Sequence, residues 1–436
     1  MLRTVEVMAE SEKTCPDSPG WDPFSTIPLE RWGEESIMQR RKLVLGLLGL
    51  AGGSGLAGAY LASRQQSASS PLPVAQATGS PTVAPPTPVP PATVVSHAQA
   101  PHGLYITGRR GLRRLVISDM NASYGSVEYD PEVDRGIGLI PYFQPDIVLG
   151  GGDMVAGQDP RLSEERIRAM WAAFDRHVAG PIRAANLPYG FTLGNHDASC
   201  ARSTRGGFLF QQERDLAREF WNDPAHDPGL NFVDRGDFPF YYTFEKDDVF
   251  YLTWDATCNF IPPEQLEWAE AALASERAQA AKLRIVIGHL PLYAITVGRN
   301  DPGEVLLEAD AKRAMLEKYR VHTYISGHHH GYYPGHKGQL QLLHCGILGS
   351  GPRPLLDSPL PPRKTITVVD VDFATPDITY YTTYHMRDLS VIEQAELPRF
   401  ITGHNGLVLR RDVRWDSLSA EEIATCQGRI GSLCRD

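Results

Sequence analysis

The sequence predicts an α/β protein, and three observations carry that reading. Apolar strand-like runs alternate with helical patterns from residue 111 onward. One stretch reads as an antiparallel hairpin, and five of the strand-like runs end in polar residues. Four of those five ends place glycine before the polar group.

Taken in order, "LRRLVIS" (112–118), "DIVLG" (146–150), "YGFTL" (189–193), "LRIVIG" (283–288) and "VHTYIS" (321–326) read as buried strands. "RLSEERIRAMWAAFDRHVAG" has apolar residues at helical spacing and is expected to stop at Gly180. "PEQLEWAEAALASERAQAAK" starts at Pro263, a favoured first-turn residue. "FPFYYTFEKDDVFYLTWDA" alternates on both sides of "KDD" and predicts the hairpin. Trp254, near its end, is expected in the core. No internal repeat is visible.

The strand ends carry the chemistry. They present Asp119, then Gly152-Asp153, Gly194-Asn195-His196-Asp197, Gly288-His289 and Gly327-His328-His329-His330. Glycine there lets the backbone turn and bring a side chain to the carboxyl edge of the sheet, where ligand sites of open α/β sheets form. A lone Asp after a strand is usually a cap or turn residue, and a lone loop His is usually solvated. Five such ends together reverse that reading and predict a metal site. Carboxylate, amide oxygen and imidazole together suit Mn, Fe, Zn or Co better than Ca or a thiolate zinc site. The number of ligands exceeds what one tetrahedral ion needs, so two ions sharing a carboxylate are expected.

The series Asp119, "GGD" (151–153), "GNHD" (194–197), "GH" (288–289) and "GHHH" (327–330) resembles the calcineurin-like metallophosphoesterase family over about residues 111–385. The resemblance implies a four-layer α/β/β/α sandwich and a dinuclear centre in which Asp153 bridges. One ion would take Asp119, Asp153 and His330, the other Asp153, Asn195, His289 and His328. His196 would act on the substrate, with Asp197 a candidate to orient it. The family usually opens with Asp-x-His, whereas this chain has "DMN", so Asn121 is expected as a ligand or as a group supporting one. Purple acid phosphatases replace that His by Tyr three residues past the second Asp; Ala156 stands there, which argues against the purple type. His329 is expected in a supporting or solvent-facing place, and His322, His336, His344 and His404 in ordinary structural roles.

Two such ions lower the pKa of a bridging water, and the resulting hydroxide would attack phosphorus while His196 meets the growing charge. The expected activity is hydrolysis of phosphate mono- or diesters with a phosphoester as the partner. The altered first motif keeps open a non-catalytic binding scaffold, and a structural protein of the cell envelope is a third reading. Arg202, Arg205 and Arg214 follow the third motif, and each is read either as a phosphate contact or as a solvated surface charge.

Composition bounds these readings. The chain has 436 residues, enough for one large domain with extensions. A net charge of −10 argues against nucleic-acid binding by phosphate neutralisation. Six cysteines do not make a disulfide scaffold; Cys200–Cys258 and Cys426–Cys434 pairs and free buried thiols are both open. The expected organisation is a leader (1–39), a transmembrane anchor or twin-arginine-like signal (40–63), a Pro/Ser/Ala-rich linker (64–110), the catalytic domain (111–385) and a packed extension (386–436). Residues 43–62, "LVLGLLGLAGGSGLAGAYLA", carry no charge and follow "RRK". At about 1.5 Å per residue they span a hydrocarbon core of about 30 Å. Basic residues on the leader side put the catalytic domain on the non-cytoplasmic side, exported or membrane-anchored.

Overall fold

Alternating apolar runs place two sheets in contact. The computed structural model describes residues 100–375 and 378–435. The leader, the apolar segment 43–62 and linker residues 64–99 lie outside them. No helix among the described residues is long and apolar enough to cross a membrane.

The first sheet contains β1 (Leu112–Ile117), β2 (Ile147–Gly150), β3 (Tyr189–Phe191), β11 (Thr365–Val371) and β12 (Thr379–His385), in the order β12-β11-β1-β2-β3. Strands β1, β2 and β3 are parallel, and β11 and β12 are added antiparallel. The second sheet is built from β4 (Asn231–Asp237), β5 (Tyr241–Lys246), β6 (Val249–Thr253), β7 (Leu283–Ile287), β8 (Thr323–Ser326), β9 (Tyr332–Lys337), β10 (Leu340–Cys345), β13 (Phe400–Gly403) and β14 (Gly406–Arg410). Its order is β13-β14-β9-β10-β8-β7-β6-β5-β4, with β6, β7, β8 and β10 parallel.

Side chains between the sheets hold them face to face. Arg114 of β1 is fully buried, and its Nε donates to the Tyr251 hydroxyl of β6 at 2.6 Å. The Tyr242 hydroxyl of β5 donates to the carbonyl of Phe191 in β3 at 2.6 Å. Arg113, next to Arg114 in β1, turns to Asp370 of β11 through two bonds of 2.7 and 2.9 Å, so neither buried cation lacks a partner.

Helices cover both sheets. Glu164–Phe174 and Gln211–Asn222 lay Phe174 and Trp221 against Tyr189 and Phe191 of β3, with Trp171 packed on both; the Trp221 and Phe191 rings stack at 4.0 Å. The helix Pro263–Ala274 packs on β6, and Arg284 of β7 donates to the carbonyls of Ala278 and Ala281. The hairpin β5–β6 turns at Asp247 and Asp248, both left-handed (φ 52° and 62°), as a two-residue turn requires.

The expectation that one helix stops at Gly180 is corrected. The helix capped by Ser163 widens into a π-turn over Asp175–Ala179 and continues as Gly180–Ala184. A side chain on Gly180 would come within 2.6 Å of the Asp175 carbonyl, so glycine here closes the widened turn instead of ending the helix.

Residues 386–435 join the second sheet, where β14 pairs with β9. The helix Ala420–Ile430 then closes a small core of Leu407, Leu409 and Val413, locked by the Cys426–Cys434 disulfide. A second disulfide joins Cys200 to Cys258, and Cys345 is a buried free thiol. His404 sits in the β13–β14 turn, its amide donating to the Asn300 side chain at 2.7 Å.

Candidate metal centre

The polar strand ends converge, but from two sheets rather than along one edge. Asp119, Asp153 and Asn195 follow β1, β2 and β3; His289 and His328–His330 follow β7 and β8 of the other sheet. A hydrogen bond from Nδ1 of His289 to the Gly151 carbonyl, at 2.8 Å, ties the two edges together.

Four acceptor atoms meet at one point. Oδ1 of Asn195 lies 2.9 Å from Nε2 of His289 and 2.9 Å from Nδ1 of His328. Oδ2 of Asp153 is 3.3 Å from Nε2 of His289. The orientation of each group is fixed from behind. Gln158 accepts from the Asn195 amide nitrogen at 2.8 Å, which turns its oxygen inward. Gly151 takes the Nδ1 proton of His289, and the Glu304 carboxylate, 2.7 Å from Nε2 of His328, takes the other ring's proton. With these tautomers lone pairs face lone pairs, an arrangement that suits a cation between them. Ligands at about 2.1 Å and right angles around one ion would sit about 3 Å apart, which is the spacing found.

The electrostatics favour positive charge at the same place, on the His289 ring. Burial pushes the pKa of His289 down, but Asp153 beside it outweighs this and raises it to about 9. Burial likewise opposes ionisation of Asp153, yet the charges and hydrogen bonds of His289 and His196 hold its carboxyl well below the usual range. Burial and then the Arg299 charge keep His328 neutral, with a pKa well below the ordinary one.

A second group of donors shares Asp153. One ligand atom each from Asp119, Asp153 and His330 lies within 4.8 Å of the others. Nδ1 of His330 donates to the Gly351 carbonyl at 2.9 Å, which leaves Nε2 as a lone pair. That Nε2 is buried, lacks a hydrogen-bond partner and sits 3.3 Å from Oδ1 of Asp119. Such an atom suits a metal ligand. Asn121 is buried beside the group, its amide bound to the Asp153 carbonyl at 3.2 Å and its own carbonyl accepting from Ser350 at 3.1 Å.

The backbone is shaped around this centre. Asp119, Asp153, His328 and His330 all have left-handed φ angles, of 49°, 53°, 63° and 54°. Each costs about 1 kcal/mol or more for a non-glycine residue. The glycines serve close approach more than turning: Gly194 has φ −103°, and a Cβ there would lie 2.1 Å from Oδ1 of Asp153. At Gly327 the same addition would come 2.5 Å from Oδ2 of Asp119.

His196 stands at the rim. Its amide donates to Oδ1 of Asp153 at 2.9 Å, its Nδ1 to the Gly157 carbonyl at 3.0 Å, and its ring centroid is 5.1 Å from that of Tyr124. The expectation that Asp197 orients His196 is corrected, because Asp197 turns the other way. Its carboxylate accepts from the amides of Met154, Val155 and Gly194 at 2.7, 2.8 and 2.8 Å, pinning the second motif's loop to the third. Burial and the nearby Asp153 push its pKa up to about 8.

Other expectations sort themselves by burial. His329 is fully buried, not solvent-facing: Nδ1 accepts from the Ile295 amide at 3.2 Å and Nε2 donates to the Glu304 carbonyl at 3.0 Å. Arg214 is buried on Asp255 at 2.7 Å, and the Arg202 guanidinium lies over the Phe208 ring. Trp254 is in the core, donating to the Tyr324 hydroxyl. Arg299, whose Nη1 lies 3.2 Å from Nε2 of His328, and Arg353, whose backbone amide donates to the His330 carbonyl, escape sequence reasoning along with Glu304, Gln158 and Tyr124. They lie in irregular segments with no periodicity and no motif to mark them.

Comparison with known proteins agrees with these motifs. The model for the calcineurin-like phosphoesterase family matches residues 112–332. No protein among the curated sequences compared matches the chain. Among solved structures, the purple acid phosphatase PPD1 of yellow lupin (Lupinus luteus) is 16% identical with a TM-score of 0.46. The alignment covers 66% of this chain and 54%, about half, of the lupin protein. GAP50, the anchor in the inner membrane complex of Plasmodium, is 13% identical with a TM-score of 0.40, covering 65% and 87%. The phosphoesterase Yfce of E. coli is 11% identical with a TM-score of 0.28, covering 65% and 97%. With the family model extending from β1 to the start of β9, across every strand end that feeds the centre, the chain belongs to the calcineurin-like phosphoesterase family.

Proposed function

We propose that this protein hydrolyses phosphate esters with two transition-metal ions held in the four-layer sandwich of its family. The observation that carries the reading is the convergence of lone pairs from Asn195, His289, His328 and Asp153, beside the unpartnered Nε2 of His330. Asp119, Asp153 and His330 would hold one ion, with Asn121 as ligand or support. Asp153, Asn195, His289 and His328 would hold the other. Mn, Fe and Zn all fit this donor set. When bound, the ions supply Lewis acidity and lower the pKa of water they hold.

The chain's own residues supply the rest. Asp153 lies where both ligand groups can share it. With Nδ1 spent on the Gly157 carbonyl, His196 keeps Nε2 to meet a phosphoryl oxygen or hand a proton to the leaving group. Tyr124, whose ring faces His196, is 62% exposed and lines the approach.

The proposal extends to place. The uncharged run 43–62 behind "RRK" and the two disulfides favour a catalytic domain outside the cytoplasm, exported or anchored.

The test is reconstitution of the purified chain with Mn, Zn and Fe separately, followed by bound-metal analysis and assays with 4-nitrophenyl phosphate and bis(4-nitrophenyl) phosphate. Two ions per chain and turnover of at least one ester are expected. Full metal loading without turnover of either ester would defeat the enzymatic reading, and near-zero metal would favour the scaffold.

A further inference from the structure

Two segments outside the family's motifs close over the histidine ligands, and each brings one guanidinium. Nη1 of Arg299 reaches Nε2 of His328 at 3.2 Å and also contacts the Glu304 carboxylate. Arg353 is tied to a second ligand histidine through its backbone amide, which donates to the His330 carbonyl at 3.1 Å. Its Nη1 would lie 2.7 Å from a Cβ on Gly298, so its side chain reaches back to the segment that carries Arg299.

These two cations are under-compensated. The Nε atoms of both Arg299 and Arg353 are buried without a hydrogen-bond partner, a costly state for a guanidinium donor. Of the charges acting on Arg353, Arg299 repels it and Glu304 alone attracts it, while burial disfavours its charge most of all. Glu304 pairs directly with Arg299, and Arg353 feels the same charge from farther away. Tyr124 and His196 stand with their rings 5.1 Å apart, and after burial the charge that acts most on the Tyr124 hydroxyl is that of Arg299. Arg299, 3.2 Å from the His328 ring, and these two residues thus belong to the surroundings of one centre.

We propose that Arg299 and Arg353 form an anion-binding wall that selects phosphate monoesters over diesters; this rests on the phosphoesterase reading. A monoester carries nearly two negative charges at neutral pH and three non-bridging oxygens. A diester carries one charge and two such oxygens, both of which the metal centre and His196 would take up. Only a monoester has an oxygen left for a guanidinium fork, and only its charge balances the second arginine.

The test uses the metal-reconstituted protein and its Arg353→Gln variant, because Arg353 makes no side-chain contact with a ligand histidine. Arg353→Lys, which keeps the charge and loses the fork, is the companion variant. Hydrolysis of 4-nitrophenyl phosphate should fall at least about tenfold in kcat/KM for Arg353→Gln, as expected for a lost charged hydrogen bond, mainly through KM. Hydrolysis of bis(4-nitrophenyl) phosphate should stay within about twofold, inhibition by inorganic phosphate should weaken in step, and the lysine variant should fall between. An equal loss for both esters, or no loss for either, overturns the proposal. If metal-loaded wild type turns over neither ester, the phosphoesterase reading fails instead. Calorimetric binding of inorganic phosphate then decides the wall alone: weaker binding by Arg353→Gln supports it, and unchanged binding overturns it.

Discussion

The carboxylate of Glu304 lies 2.7 Å from Nε2 of His328, while Nδ1 of the same ring lies 2.9 Å from Oδ1 of Asn195. One imidazole thus joins the proposed ion site to a carboxylate behind it. The same residue's carbonyl accepts from Nε2 of His329, so Glu304 is held by two consecutive histidines. A carboxylate in that place fixes the tautomer and raises the basicity of the nitrogen facing the ion. Glu304→Ala should weaken metal binding by about 10- to 100-fold in a calorimetric titration, and Glu304→Gln by less because an acceptor remains. Unchanged affinity in Glu304→Ala would show that the ring is positioned without it.

Ligand and rim residues should separate in a two-readout experiment. Asp153→Ala and His289→Ala are expected to lose bound metal and turnover together. His196→Ala should keep its metal and lose about 10²- to 10⁴-fold in kcat. Undiminished turnover in a metal-checked Asp153→Ala protein would remove the mechanism; equal loss of metal and rate in His196→Ala would mean that its role is misassigned.

Asp197 should behave as a brace. Removing its carboxylate strands the buried amides of Met154, Val155 and Gly194, each worth about 1–3 kcal/mol. Asp197→Ala should therefore shift the denaturant midpoint strongly. A variant of unchanged midpoint that has nevertheless lost activity would return Asp197 to the chemistry.

Acid should weaken the fold through two histidines that are not among the proposed ligands. Burial, with Arg411 adding for His322, lowers both His322 and His344 to a pKa of about 4. Depressed folded-state values mean that the stabilisation is intact above the unfolded pKa of about 6.5 and fades as pH falls toward 4. At pH 5 each accounts for a loss of about 2 kcal/mol relative to pH 7. His322→Gln should flatten the decline of the urea midpoint across that interval; an unaltered slope would assign it to other groups.

Much of the centre was legible because its donors sit directly on strand ends, where a glycine and a polar residue are adjacent in the chain. Asp119, Asp153, Asn195, His289, His328 and His330 all announce themselves in that way. Glu304, Arg299 and Arg353 do not, since irregular segments have no period and their approach to His328 and His330 exists only after folding. Adjacency in sequence does not bring Asp197 to His196, because the short helix Asn195–Ala198 sends the two side chains apart. A glycine after a helical run looks like a stop at Gly180 because the π-turn before it leaves no mark in the sequence.

The strand ends divide by chemistry as well as by sheet. Asp119, Asp153 and Asn195 offer only oxygen, and they come from the first sheet; His289, His328 and His330 offer only nitrogen, and they come from the second. An all-oxygen edge favours hard cations such as magnesium, and an all-imidazole edge favours copper or nickel. The proposed preference for ions of intermediate hardness would belong to neither sheet alone. It would arise only where the two edges meet, so a change that parted the sheets while leaving each folded would cost the proposed choice of metal before the secondary structure.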